Sequence, residues 1–281
     1  MANLQLLKKR LKSINATGNL ASAMKTVASV KHTQIGKLVS SFNEYYEALD
    51  AELDLISKSA FSRIGVEVKN RNCVVVLSSN RGFCGGFNHE IFRFIEKEEI
   101  SKQIKAEPLI VACGKKAERY FADKGVEAIN FAVSDVPEFA QARELTDFLL
   151  DTYLTGEADK VFMVYQKYTN MMSQTPEIFK ILPYEHDAKE DKEIKDVLYL
   201  PDKESFSKNL ALDALTSIVY NIMLLHAYGA QGSTVIAMKN AYDNALESSR
   251  KLDIQINRIR QANVTNSVIE TSSGMAMKYE V

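Results

Sequence analysis

Apolar residues recur at steps of three and four along both ends of the chain. Leu4, Leu7, Leu11 and Ile14 open one such stripe, and Ile35, Leu38, Phe42, Tyr45, Leu49, Leu53 and Ile56 close it. Steps of this kind average 3.5 residues and mark one seam of a coiled coil. The middle of that stretch is different. Between Asn15 and Lys25 the small residues Ala16, Gly18, Ala21 and Ala23 allow another backbone to come close but supply little burial. A glycine there costs about 1 kcal/mol against alanine in a helix, so packing has to decide that region. A helix from Asn3 to Ser57 would be about 80 Å long. That is too long to be wrapped in a domain of this size, so it is expected to protrude and to need a partner helix.

The partner is predicted at the other end of the chain. A helical pattern runs from about Ser205 to Met277, starting with Leu215, Ile218, Ile222 and Leu225. Met238, Tyr242, Ala245, Ser249, Leu252, Ile256 and Ile259 carry the seam onward. The same register then lands on Asn263, Asn266, Glu270 and Ser273, which cannot hold a helix by burial. A helix of small and polar residues is marginal in water by itself. The end of this one is expected to lie inside another protein, with Arg258, Arg260 and Gln261 as donors to it.

Between the ends, strands and helices alternate. Strands are predicted over 73–78, 108–112, 126–131, 161–165 and 178–182, and helices over 88–102, 115–124 and 136–154. Alternation with short connections implies a mainly parallel, doubly wound sheet. The charged segment from Tyr184 to Asp202 reads as a surface loop. The fold class is therefore α/β: a long antiparallel coiled coil of the terminal helices plus a central Rossmann-like doubly wound domain. The expected divisions are 1–58 for the first shaft helix, 70–200 for the α/β domain and 205–281 for the second shaft helix.

Composition changes this picture little. Of 281 residues, 46% are hydrophobic and 25% charged, with a net charge of −1 that gives nucleic acid no bulk attraction. Three cysteines without a C-x-x-C pair suit a reducing cytosol better than a disulfide framework. No apolar run approaches the ~20 residues of a membrane span. Seven basic residues and no acidic one fall between Met1 and Asn43. That suits a helix face for an acidic partner, since the helical pattern begins at Leu4 with no break such as a transit peptide would need.

Candidate chemistry is thin. Ser78 to Asn88 follows the first strand and precedes a helix, where α/β folds cradle phosphates. Its glycines, Gly82, Gly85 and Gly86, form neither of the phosphate-binding spacings, and no lysine follows to meet a phosphate. A tight turn is favoured. The competing reading is a nucleotide-binding enzyme that uses Gly82–Gly86. His89-Glu90 is half of a zinc motif, but Arg93 stands where its second histidine belongs. Cys84 is a possible thiol at a helix N-terminus, with no base in evidence.

Four stretches, in order along the whole chain, resemble the gamma subunit of the rotary F-type ATP synthase. Asn15-Ala16-Thr17 followed by Ala23 to Lys31 is similar to the family's A-M-x-M-V-A-x-x-K stretch. Ser79 to Asn88 is similar to S-D-R-G-L-C-G-G-L-N. Ala237 to Ala245 resembles A-M-x-x-A-x-D-N-A. Asn257 to Thr265, with Glu270 and Ser273-Gly274 beyond, resembles N-x-x-R-Q-A-x-I-T and its tail.

The resemblance implies a non-catalytic shaft subunit of the proton-transporting complex, turning inside a ring of alpha and beta subunits. Its α/β domain would meet the epsilon subunit and the membrane rotor c-ring. No nucleic acid, cofactor, metal or catalytic residue is implied, and the expected place is peripheral, on the cytoplasmic face of a bacterial cell membrane. By position, Met24 and Lys25 would meet the beta-subunit lever, and Arg260, Gln261 and Thr265 a beta loop higher up. Arg81, Gly82, Cys84, Gly85 and Gly86 would form the turn of the α/β domain. A coiled-coil scaffold unrelated to ATP synthesis is the remaining alternative. The small residues Ala16, Gly18, Ala21 and Ala23 would suit a surface that passes its neighbours without locking.

Three departures stand out. Asn80 replaces the family's Asp, and Ser267 replaces a Glu two residues after the Thr. Gly229 to Thr234 replaces a Ser-Glu pair and a following Arg, with two glycines expected to weaken the helix locally.

Overall fold

The computed structural model describes residues 2–53, 71–97, 107–184 and 202–279. The element order is α1 (Ala2–Leu53), β1 (Cys73–Leu77), α2 (Phe87–Ile95), β2 (Leu109–Cys113), α3 (Lys115–Asp123), β3 (Ala128–Phe131), α4 (Phe139–Leu154), β4 (Val161–Asn170), β5 (Ser173–Leu182) and α5 (Lys203–Tyr279). The chain divides into two compact units, Met1–Val27 with Val235–Val281, and Ala28–Thr234. The expected helix over 98–102, the expected seam residue Ile56 and the loop after Tyr184 lie outside the described residues.

In the larger unit the sheet order is β3-β2-β1-β4-β5. β1 lies between β2 and β4 and is parallel to both, and β3 continues parallel from β2. The β-branched run Cys73–Leu77 is buried at every position, as a strand covered on both faces requires. Alternation splits it cleanly. Cys73, Val75 and Leu77 pack with Val111, Val161 and Met163 under α4 and α5, through Leu145, Leu149, Leu215, Ile218 and Met223. Val74 and Val76 face the other way, with Ala112 and Val164, onto Ile91 of α2 and Ala117 and Phe121 of α3. Helices on both faces give the doubly wound domain that the strand–helix alternation predicts.

The last two strands depart from the expected pattern. β4 and β5 each run for ten residues and pair antiparallel, where two short separate strands were predicted. Their extra length carries Gln166, Lys167, Gln174 and Thr175, polar residues that hide a strand from a hydrophobicity reading. The turn between them is set by Asn170, whose Oδ1 accepts from the N–H groups of Met172 (2.9 Å) and Ser173 (2.8 Å).

α5 starts where Asp202 caps it, accepting from the Ser205 N–H at 2.9 Å. One window of this helix is apolar enough to span a membrane, with mean hydropathy 1.5, contrary to the reading of the bare sequence. Yet 78% of that window is buried within the protein, which marks a core helix. α5 is helical through Gly229 and Gly232. A Cβ on Gly229 would sit 3.2 Å from Phe87 and Gln174, and one on Gly232 would sit 3.3 Å from the His32 ring. The glycines admit α1, the start of α2 and the β4–β5 hairpin to the helix surface.

On α1 the seam in this unit is Ala28, His32, Ile35, Val39, Phe42, Tyr46 and Leu49, all buried or half-buried. Tyr46, not the expected Tyr45, joins the core, because the alternating steps of four and three from Ile35 through Val39 and Phe42 land there; Tyr45 is exposed. His32 stacks on Tyr228 with ring centroids 4.1 Å apart.

Candidate interaction surface and the Gly-rich turn

In the smaller unit α1 and α5 pair along much of their length. Gly18 meets Ala245, where an added Cβ would lie 3.2 Å from the Ala245 Cβ. The α1 seam is Leu4, Leu7, Leu11, Ile14, Gly18, Ala21 and Lys25, so the small-residue middle continues the same three/four register. Ala21 is 4% exposed, whereas Ala16 and Ala23 face outward. Smallness at Gly18 and Ala21 therefore serves close helix approach rather than an outward sliding surface, which corrects the expectation for those two positions.

On α5 the predicted seam is observed. Met238, Leu252 and Ile256 are buried, and Tyr242, Ala245, Ser249 and Ile259 are half-buried. From Arg260 to Ser272 every residue is exposed while the helix continues. Arg258, Arg260 and Gln261 are all exposed, and the Thr265 hydroxyl donates back to Gln261 O at 3.0 Å. Arg260 also lines a shallow groove with Leu4, Asn263, Val264 and Ser267. Met24 and Lys25 are half-buried, and the Lys25 ammonium stands 5.9 Å from the Tyr242 ring centroid. Lys25 thus has a partner within the helix pair.

The seam argument misses a second set of residues here. Val264, Val268 and Ile269 are 58%, 62% and 56% exposed on the unpaired part of α5. They sit off the seam register, so a search for one stripe passes over them. Ile254, Leu6 and Leu20 in the same unit are exposed as well. Exposed apolar side chains gathered on one element mark an interaction surface.

In the larger unit the Gly-rich turn is tied together from within. Asn88 accepts from the Ser79 N–H at 3.0 Å and donates to Ser79 Oγ at 2.7 Å and to Cys84 Sγ at 3.1 Å. Cys84 is buried, which fits a structural thiol better than a reactive one. Gly85 has φ 59° and Phe83 φ 69°. Gly82 is half-buried, and Gly86 precedes α2 directly. Ser78 Oγ accepts from the Ala117 N–H at 2.8 Å at the start of α3. Glu90 puts a carboxylate in the first turn of α2, within 3.5 Å of a Cβ built on Gly86. A carboxylate there opposes a bound phosphate, so the turn fits a structural role. His89 and Glu90 are both exposed, and no group of three or more metal-ligating side chains occurs among the described residues.

Asn80 occupies a position that suits its amide. Its Nδ2 donates to Val133 O at 2.6 Å and to Asp135 Oδ1 at 3.2 Å, while its Oδ1 accepts from the Lys115 N–H at 3.3 Å. An aspartate could not donate to either oxygen. Lys31 of α1 reaches the same carboxylate at 2.5 Å, and Arg81 Nε stands 3.6 Å from it. Burial pushes the Asp135 carboxyl up, but the hydrogen bonds from Lys31 and Asn80 and the charges of Lys31 and Arg81 outweigh it and hold it below its ordinary value. On the other side of the turn Ser233 of α5 donates to Cys84 O at 2.7 Å.

His226 of α5 is buried beside this turn and accepts from the Gln166 N–H at 3.3 Å. Burial lowers its pKa to about 3, against a smaller upward pull from the Ser78 backbone. The unfolded chain takes up this proton near its ordinary pKa of about 6.5, well above the folded value. The stability that neutral His226 supplies is therefore complete above pH 6.5 and declines as pH falls toward 3. The slope is about 1.4 kcal/mol per pH unit for one such group. In His226→Asn, whose Oδ1 keeps an acceptor near the Nδ1 position, urea unfolding between pH 6.5 and 4 should lose that slope; an unaltered slope would assign acid sensitivity to other groups.

The family model for ATP synthase matches residues 3–277. A curated relative, the ATP synthase gamma chain of Desulforamulus reducens, is 32% identical and covers 98% of this chain and 99% of its own. The chain belongs to the ATP synthase gamma chain family. The gamma chain of Pasteurella multocida is 29% identical over 98% of this chain and 99% of its own. Among solved structures, a chain of the Euglena gracilis mitochondrial ATP synthase (OSCP/F1/c-ring, rotational state 3) shares the fold. It does so at TM-score 0.66 and 16% identity, over 98% of this chain and 94% of that one. A gamma chain is the central-stalk rotor subunit and not a catalytic subunit, and it is part of the membrane-associated synthase complex. The ordered motifs read from the sequence carry the same assignment.

Proposed function

We propose that α1 and α5 form the shaft that turns inside a ring of alpha and beta subunits, and that the α/β domain meets the epsilon subunit and the membrane rotor c-ring. Functionally the chain then divides into shaft helices over 1–58 and 205–281 and a domain over 70–200. The observation that carries this reading is the change at Arg260. Up to Ile259 the seam is paired; from there thirteen successive residues, Arg260 to Ser272, are exposed while the helix continues. A helix that displays Val264, Val268 and Ile269 to solvent gains by entering a partner.

In this reading Arg260, Gln261 and Thr265 meet a beta loop, and Met24 and Lys25 the beta lever below it. Arg81, Gly82, Cys84, Gly85 and Gly86 shape the turn of the domain. An asymmetric rod presents a different face to each beta subunit. Each orientation then stabilises one set of beta conformations over the others, and turning the rod exchanges nucleotide affinities among the sites. The chain would work on the cytoplasmic face of a bacterial cell membrane as a peripheral subunit.

Reconstitution with alpha and beta subunits tests this. The complex should hydrolyse ATP and rotate. Arg260→Ala with Gln261→Ala should weaken the shaft's hold by about 1.5–3 kcal/mol, the range for charged hydrogen bonds, and lower the torque. Failure of the wild-type chain to assemble with the hexamer would overturn the proposal.

A further inference from the structure

We propose that Lys31, Asn80 and Asp135 form a torque-bearing strap that locks α1 to the α/β domain, with Ser233 fixing α5 to the same turn. The inference rests on the rotor reading and adds positioning residues to it.

A shaft can transmit torque only if its helices cannot slip against the domain that is driven. Most of the α1 contact in this unit is apolar, through Ile35, Leu38, Val39 and Phe42 in the core cluster. Apolar burial is non-directional. The strap is directional. Lys31 bonds Asp135 Oδ2 at 2.5 Å, and Asn80 holds Oδ1 of the same carboxylate at 3.2 Å. Asn80 is anchored in turn to Val133 O at 2.6 Å and to the Lys115 N–H at 3.3 Å, where α3 begins. A load on α1 thus passes through one carboxylate into the β3–α4 connection and the start of α3. The Lys31 and Asp135 side chains are only 25% and 19% exposed, so water competes weakly for the pair. On the far side, Ser233 grips Cys84 O at 2.7 Å. The turn over 79–88 therefore takes a polar bond directly from α5 and, through Asp135, one from α1. Its internal bonds among Ser79, Cys84 and Asn88 stiffen it for that role.

The experiment uses the reconstituted complex with a bead attached through Lys160→Cys, an exposed site on the domain; the three native cysteines are buried. Stall torque on the bead should fall at least twofold in Lys31→Met and in Asp135→Asn, and in Asn80→Asp, which sets a second carboxylate against Asp135. Lys31→Arg should stay near wild type. The Lys31→Met/Asp135→Asn pair should be no worse than either single change, because both break one unit. ATP hydrolysis without a load should stay within twofold of wild type. Wild-type torque in Lys31→Met would overturn the proposal. So would a torque loss matched by an equal loss of unloaded hydrolysis and of melting temperature, which a merely structural role would give. Failure of the wild-type chain to assemble would instead strike the rotor reading.

Discussion

Gly114→Val should abolish the folded α/β domain or leave it with a melting temperature lower by well over ten degrees. Gly114 follows β2 and precedes α3 with φ 92°, in the left-handed region that side chains avoid. A Cβ there would stand 2.3 Å from the Ser78 carbonyl oxygen and 3.0 Å from its Oγ. The obstructing atom is backbone at the end of β1, held by the Ser78 N–H to Cys113 O bond of 2.9 Å, so it cannot rotate away. Relief would require separating β1 from β2 or displacing α3, whose Ala117 N–H depends on Ser78 Oγ at 2.8 Å. Either route breaks buried hydrogen bonds at about 1–3 kcal/mol each, in addition to about 1–3 kcal/mol of backbone strain. Together these approach the total stability of a typical domain. Thermal unfolding by circular dichroism checks the expectation, with Gly125→Ala as control. Gly125 also has positive φ (68°), but a Cβ there meets nothing within 4 Å. Equal losses in the two variants would show that φ alone, and not the Ser78 contact, sets the cost.

What the sequence makes legible follows from what repeats. The seam from Met238 to Ile259 and the buried run Cys73–Leu77 each state one rule several times over, and both elements form as read. The small residues at Gly18 and Ala21 obey the same register on α1, but the register alone cannot separate a close helix contact from an outward face. Tyr45 and Tyr46 differ by one position and both stand at an allowed step from Phe42, so only the alternation of four and three from Ile35 through Val39 decides between them. The β4–β5 hairpin escapes because its distal half is polar and exposed. The candidate surface divides in the same way. Arg260, Gln261 and Thr265 are found by motif, whereas Val264, Val268 and Ile269 lie off the seam. The bonds joining Lys31, Asn80 and Asp135 span about a hundred residues of sequence, a pairing that no local pattern encodes.

Gly18→Leu should uncouple the shaft. Gly18 is buried in the α1–α5 pair, with Ala245 opposite at 3.2 Å from its would-be Cβ and Tyr242 next at 4.0 Å. Alanine at this position sets two opposed terms against each other. Helix propensity gains about 1 kcal/mol, while a tight Cβ–Cβ contact must open by a few tenths of an ångström. The net change for Gly18→Ala should be small. Leucine adds three further carbons where the facing atom is the Ala245 Cβ, which has no rotamer to change. Overpacking of this kind costs about 1–3 kcal/mol, and the helices must part locally to take it. Parting disturbs the neighbours of Gly18 on the seam, Ile14 and Ala21, and moves Tyr242 away from the Lys25 ammonium. In the reconstituted complex the result should be a large loss of rotation driven by ATP, with hydrolysis less affected because the catalytic groups lie on other subunits. A compensating Ala245→Gly should restore much of the loss by returning the space. Full coupling in Gly18→Leu would mean that close approach of the two helices at this level is not needed for the shaft to work.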